Sequence, residues 1–210
     1  MGNGLTPTPA NDLGDPIRID PGTSARIESP TPGPVGLDSK GGTPKQTQAS
    51  MADQIVGFAR RQKGDRVGDG ECFTLADRAL RGAGARSARD FGDVSPNVDY
   101  VWGTSVNLSD LRSGDVIQFR DYRFDREVVT HNSDGSTTIT NDFQERPHHT
   151  AIVESVGSNG AVTVLEQNSP DGSPVTRNHL FFSNGTRDGG GQSTTITVQG
   201  TFWFYRPQAR

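Results

Sequence analysis

Gly68-Asp69-Gly70-Glu71-Cys72-Phe73-Thr74-Leu75-Ala76-Asp77 carries the only cysteine of a 210-residue chain. Two glycines precede the thiol, and an apolar pattern of helical spacing begins on it. Cys72, Ala76, Ala79, Leu80 and Ala83 fall on one helical face, and Gly82 and Gly84 supply a stop. A thiol in the first turn of a helix sits among unpaired backbone N–H groups at the positive end of the dipole. Both favour the thiolate, the reactive form of cysteine. The stretch therefore predicts a nucleophile at Cys72, with the rest of the chain positioning groups around it.

Composition narrows the field. The hydrophobic fraction is 30%, low for a fully globular chain, and the deficit is uneven. Eight of the 13 prolines lie in residues 1–50, which hold no aromatic residue. Residues 1–49 are expected to be a disordered Pro/Gly/Thr-rich tail or linker, and residues 50–210 an ordered domain. A net charge of −4 with only three lysines lacks the basic footprint of a nucleic-acid binder. A lone cysteine excludes an internal disulfide and a CxxC zinc site. No histidine pair has the i, i+4 spacing of a helical metal site, so neither a metal nor a cofactor is expected. No run is long and apolar enough for a membrane span. The N-terminus shows no standard secretory signal, which leaves a cytoplasmic life or non-classical export open. A monomer is expected.

Order begins at Ser50-Met51-Ala52-Asp53, a capping-box spacing, followed by a helical face through Met51, Ile55, Phe58, Ala59 and Gln62. The Cys72 helix comes next. After Arg112 the apolar period changes to two. Short strands are predicted at Val116–Phe119, Arg126–Thr130, Thr137–Asn141, His149–Val156, Ala161–Asn168, Val175–Phe182, Thr194–Val198 and Thr201–Tyr205. Hairpin turns are predicted at Ser133–Ser136 and at Gly157–Gly160. Helices first and antiparallel strands afterwards make an α+β domain.

A catalytic thiol needs a base, and the base needs a group to orient it. Of four histidines, His131 falls near a turn and His179 lies in a late strand without an evident partner. His148 and His149 enter a strand together and must face opposite ways. A loop of Gly157–Gly160 sets His149 across from Asn168, with Glu166 a diagonal neighbour on the same face. Cys72, His149, Glu166 and Asn168 are thus the candidate site. Tyr100 and Trp102 are expected either to wall its groove or to belong to the core.

The order of motifs resembles the CHAP domains and their NlpC-type relatives, papain-fold cysteine peptidases and amidases. The resemblance rests on Gly70-Glu71-Cys72, Leu111-Arg112-Ser113-Gly114-Asp115-Val116-Ile117, His149-Thr150-Ala151-Ile152-Val153 and Glu166-Gln167-Asn168. It implies helices packed on an antiparallel sheet or partial barrel, Cys72 as nucleophile, His149 as base, and Glu166 and Asn168 as orienting positions. Many such proteins cut bacterial peptidoglycan, which implies a stem peptide or another peptide as substrate. The details Gly-Glu-Cys-aromatic-x-Leu-Ala and Gly-Asp-Val-Ile-Gln-Phe resemble still more the cysteine-proteinase-fold domain found in certain fungal actin-patch proteins. Two alternatives stand beside hydrolysis: a papain-fold protein-binding module, and a secretion-system effector or toxin acting on another amide or ester. About thirty residues between Phe119 and His149 leave room for an extra hairpin beside the site.

Overall fold

Ser50 and Asp53 open the first helix as a reciprocal cap. The Ser50 hydroxyl accepts from Asp53 N at 3.1 Å, and Ser50 N donates to the Asp53 carboxylate at 3.2 Å. The structure, a computed structural model, describes residues 49–210; the expected disorder of the first 49 residues lies, Ala49 apart, outside the described residues.

Helices α1 (Met51–Arg61) and α2 (Cys72–Gly82) come first, then the short strand β1 (Thr104–Val106). Six further strands follow: β2 (Val116–His131), β3 (Thr137–Val156), β4 (Ala161–Glu166), β5 (Thr176–Phe181), β6 (Gly185–Gly189) and β7 (Gln192–Arg206). They form one antiparallel sheet in the order β1-β7-β2-β3-β4-β5, with β6 paired to β7. The α+β architecture is as expected. Strands β1 and β6 had no clear period-two signal, being short and exposed.

Alternation sorts the sheet residues into two cores. Val116, Ile152, Leu165 and Tyr205 face the helices and pack with Ile55, Ala59, Leu75, Ala76 and Leu80. Ile117, Phe119, Tyr122, Val153, Val164 and Leu180 face the other way, among Phe182, Phe202 and Phe204. The sheet curls over this second core. Tyr122 of β2 donates its hydroxyl proton to Phe181 O of β5 at 2.5 Å, although two strands separate them in the sheet order. Trp102 and Tyr100 are core residues, 0% and 7% exposed. The Trp102 indole N–H donates to Gln118 Oε1 at 3.2 Å, which satisfies a polar atom that burial would otherwise strand. Asp115 is also structural: its carboxylate accepts from Arg112 N at 2.9 Å and pairs with Arg206 at 3.0 Å.

Several predicted short strands are halves of longer ones. β2, β3 and β7 each run unbroken through positions that read as interruptions. At the break Asp121 takes φ +52, and the β2–β7 register shifts between Arg120 and Arg123. Gly200 faces this bulge with φ +86; a Cβ there would lie 2.1 Å from Asp121 O, so no larger residue fits. Pro147, which has no N–H for a ladder, falls opposite Asp121 and is skipped in the β2–β3 pairing. Beyond the bulge, past the buried Phe124 and Ile196, the outer ends of the three strands and β6 are mostly exposed and form an arm. The expected hairpin is therefore the outer half of central strands rather than an insertion.

Candidate active site

Four pieces of chain build the site. Gly70 takes φ +92, a conformation natural to glycine, and turns the chain into α2. Glu71 is the N-cap and Cys72 the first helical residue, with its side chain part-exposed. The first intrahelical bonds are made by Thr74 and Leu75 to Glu71 O, at 2.9 and 3.4 Å. The N–H groups of Cys72 and Phe73 precede them and point out of the helix start.

His149 is supplied by β3 and is 4% exposed. Its Nε2 lies 2.9 Å from Glu166 Oε2 on β4. The ring N–H is not aimed along that line, and Nε2 has no aligned hydrogen-bond partner. The pairing is thus ionic contact rather than a well-directed hydrogen bond. The Cys72 thiol is among the groups that raise the imidazole pKa. With Nε2 turned to Glu166, Nδ1 is the nitrogen left for sulfur.

Glu166 is fully buried and held from several sides. Arg146 grips it bidentately, at 3.0 and 2.5 Å, and Asn178 donates to Oε1 at 2.7 Å. Burial alone would raise its pKa, but His149 and Arg146 outweigh it and hold the carboxyl down at about 2. Burial likewise works against charge on His149. The Cys72 and Glu166 partners outweigh it and push the imidazole up to about 9. Near neutral pH the arrangement is therefore an imidazolium paired with a buried carboxylate.

His148 points to the opposite face, as two successive strand residues must. Its Nε2 lies 3.0 Å from Val98 O, and its ring packs edge-on to Tyr100 at 5.3 Å. Burial and then the nearby Arg120 charge lower its pKa, so it stays neutral.

Asn168 does not join the site, and here the expectation is corrected. Strand β4 ends at Glu166, and Asn168 takes φ +63, which turns its side chain out of the ladder. It donates to Glu71 at 3.1 Å and accepts from Gly172 N at 2.6 Å. Two residues that period-two reasoning passed over matter more. Arg146 lies between the predicted strands Thr137–Asn141 and His149–Val156, where the period-two pattern assigns nothing. Gln167 sits between the two candidate orienting positions, and it is fully buried. Its amide accepts from Val67 N at 2.9 Å and donates to Val67 O and Glu71 O at 3.0 and 2.7 Å. One side chain thus fastens the loop that carries Cys72 to the strand that carries Glu166. An amide between two such motifs, matched to a backbone that needs both donor and acceptor, is the only sequence signal for it.

The register that unites His149 and Glu166 has a structural cause. At the β3–β4 tip Val156 pairs with Val162, and Gly157 N donates to Ala161 O at 2.8 Å, which makes Ser158-Asn159-Gly160 the loop. That tip is one residue tighter than expected and by itself would turn His149 and Glu166 to opposite faces. A bulge at Glu154 restores the pairing of Val153 with Val164 and of Ile152 with Leu165.

Residues 43–184 match the AIM3/BBC1 cysteine proteinase-fold domain; the match takes in Cys72, His149 and Glu166 and stops before β6 and β7. No curated protein and no solved structure matches the chain. With the helix-borne thiol and the antiparallel sheet behind it, the chain belongs to the AIM3/BBC1 cysteine proteinase-fold domain family.

Proposed function

We propose that the domain is a cysteine-dependent hydrolase of an amide bond in a peptide, with Cys72 as nucleophile, His149 as acid–base and Glu166 as the orienting carboxylate. The observation that supports this most is the buried pairing of Arg146, Glu166 and His149 beside the part-exposed Cys72. Buried charge of this kind adds little to stability compared with apolar packing, so holding an imidazolium against a thiol gives it a use.

In the proposed reaction the Cys72 sulfur, as thiolate with its proton already on His149, forms a bond to the carbonyl carbon while the C=O π pair moves to oxygen. The N–H groups of Cys72 and Phe73 face the developing oxyanion. The intermediate then expels the amine, which takes its proton from His149. Water next attacks the thioester, His149 accepts a water proton, and the sulfur leaves as thiolate. Glu166 keeps its charge throughout and holds the ring.

The substrate is proposed at the level of a peptide carbonyl; the stem peptide of peptidoglycan is one case to test. Cys72→Ala abolishes release of peptide fragments, followed by mass spectrometry on peptide mixtures and on purified peptidoglycan, while the melting temperature stays within about 2 °C, as for a change outside the core. Activity that survives in Cys72→Ala, or a variant that unfolds, defeats the proposal.

A second reading is a protein-binding module on the same fold. It is favoured by the projecting arm, which exposes Ile139 and Phe143. Retention of a partner by both the wild-type protein and Cys72→Ala, without turnover by either, would select it.

A further inference from the structure

On the projecting arm, among the described residues, β3 has a strand neighbour on one side only. From Thr137 to Arg146 it pairs with β2, whereas β4 begins to pair with β3 at Ile152. The other edge of Thr137-Thr138-Ile139-Thr140-Asn141-Asp142-Phe143-Gln144 therefore offers a row of backbone donors and acceptors. Natural edges are commonly guarded by Lys, Pro or a bulge. This segment has no Lys and no Pro, and three of its eight residues are β-prone threonines. It also carries Ile139 and Phe143, which are 59% and 55% exposed. Both face the same way. Val129 lies beside Ile139, and the Arg123 guanidinium sits over the Phe143 ring at 4.1 Å.

We infer that the outer half of β3 is the dimerisation edge of this domain, pairing antiparallel with the same segment of a second copy about a two-fold axis through Asn141. Two-fold pairing of a strand with itself allows only registers that keep like faces together, so the choices are few. Centred on Asn141, Ile139 lies directly across from the partner's Phe143, and Phe143 across from the partner's Ile139. Both exposed apolar side chains are covered at once. Centred on Thr140, Ile139 would meet Asn141 and Phe143 would meet Thr137. Centred on Asp142, that carboxylate would meet its own copy, and Ile139 would meet Glu145. The favoured register instead sets Asp142 against Thr140, and Asp142 is already neutralised by Arg126. The arm stands beyond the Asp121–Gly200 bulge, and the paired segment carries neither Cys72, His149 nor Glu166. This departs from the monomer that the sequence suggested.

Sedimentation of the full chain at rising concentration tests the edge. The weight-average mass climbs from 22.5 kDa towards twice that value. Ile139→Thr keeps β propensity but removes two Ile–Phe pairs, one on each side of the axis, and weakens association about tenfold. Circular dichroism and melting of that variant confirm that it folds. In a Cys72→Ser background, Asn141→Cys brings its thiol to its own copy. Opposed Cα atoms about 4.5–5.5 Å apart suit a disulfide. Mild oxidation then yields the covalent dimer faster than with Thr138→Cys, whose partner position is Gln144. A chain that stays monomeric into the sub-millimolar range, whatever else its edge captures, overturns the inference. So do equal cross-linking rates for the two cysteines.

Discussion

Replacing Glu166 by Gln keeps the volume of a fully buried side chain and removes its charge. In the native protein that charge is shared by Arg146, 6% exposed and bonded at 3.0 and 2.5 Å, and by His149 at 2.9 Å. The variant leaves a guanidinium in the interior without a counter-ion. Breaking one side of a buried pair in this way costs about 3–5 kcal/mol. For a domain of this size that corresponds to a fall of about 10 °C in melting temperature. It also removes one of the two groups that keep His149 charged against burial, so the imidazole pKa drops from about 9. Thermal unfolding by circular dichroism and an NMR titration of the labelled ring measure the two effects. A double variant, Arg146→Met with Glu166→Met, removes the stranded charge; it regains most of the stability but none of the activity. If Glu166→Gln melts within about 2 °C of the parent and His149 still titrates near 9, then Glu166 does not hold the imidazole, and the proposed division of labour fails.

The same network makes stability depend on pH in a defined direction. His149 is raised from its ordinary 6.5 to about 9, so its contribution is complete below 6.5 and is lost as pH rises towards 9. Glu166 is lowered from 4.5 to about 2, so its contribution is complete above 4.5 and is lost as pH falls towards 2. The network is thus worth most between pH 4.5 and 6.5. The alkaline loss traceable to His149 is about 3 kcal/mol. Urea unfolding at a series of pH values measures it; a His149→Gln variant that keeps the full alkaline slope would contradict the assignment. Gln167→Ala strands Val67 N–H, Val67 C=O and Glu71 C=O, and costs about 2–4 kcal/mol. Its local signature is faster hydrogen exchange at Val67 and altered iodoacetamide labelling of Cys72. Unchanged exchange at Val67 would show that the amide is not the fastener.

Local chemistry made much of this legible in advance. The Ser50–Asp53 box and the apolar face that starts on Cys72 depend on neighbours within a turn or two, and both helices begin as their sequences indicate. Period-two alternation sent His148 and His149 to opposite faces and put Glu166 on the face of His149. The route to that result was less direct than it looked. A tighter tip and an unforeseen bulge at Glu154 offset each other, and only their combination gives the observed register.

What the sequence by itself determined was element type, the order of helices and strands, and the residue types of the Cys72, His149 and Glu166 positions. These follow from hydrophobic period and capping, which are short-range. Tertiary structure alone decided which polar groups meet. Asn168 left the ladder because a left-handed turn follows the end of β4. Arg146 entered the site because β3 runs unbroken past Pro147 and carries it to Glu166, whose burial then demanded a cation. Gln167 found its partners on the Cys72 loop, a hundred residues away from Val67 in the chain. Such pairings depend on bulges and close approaches that periodicity does not encode. For that reason the thiol was visible from the sequence, while the charge that orients its partner became visible only in the fold.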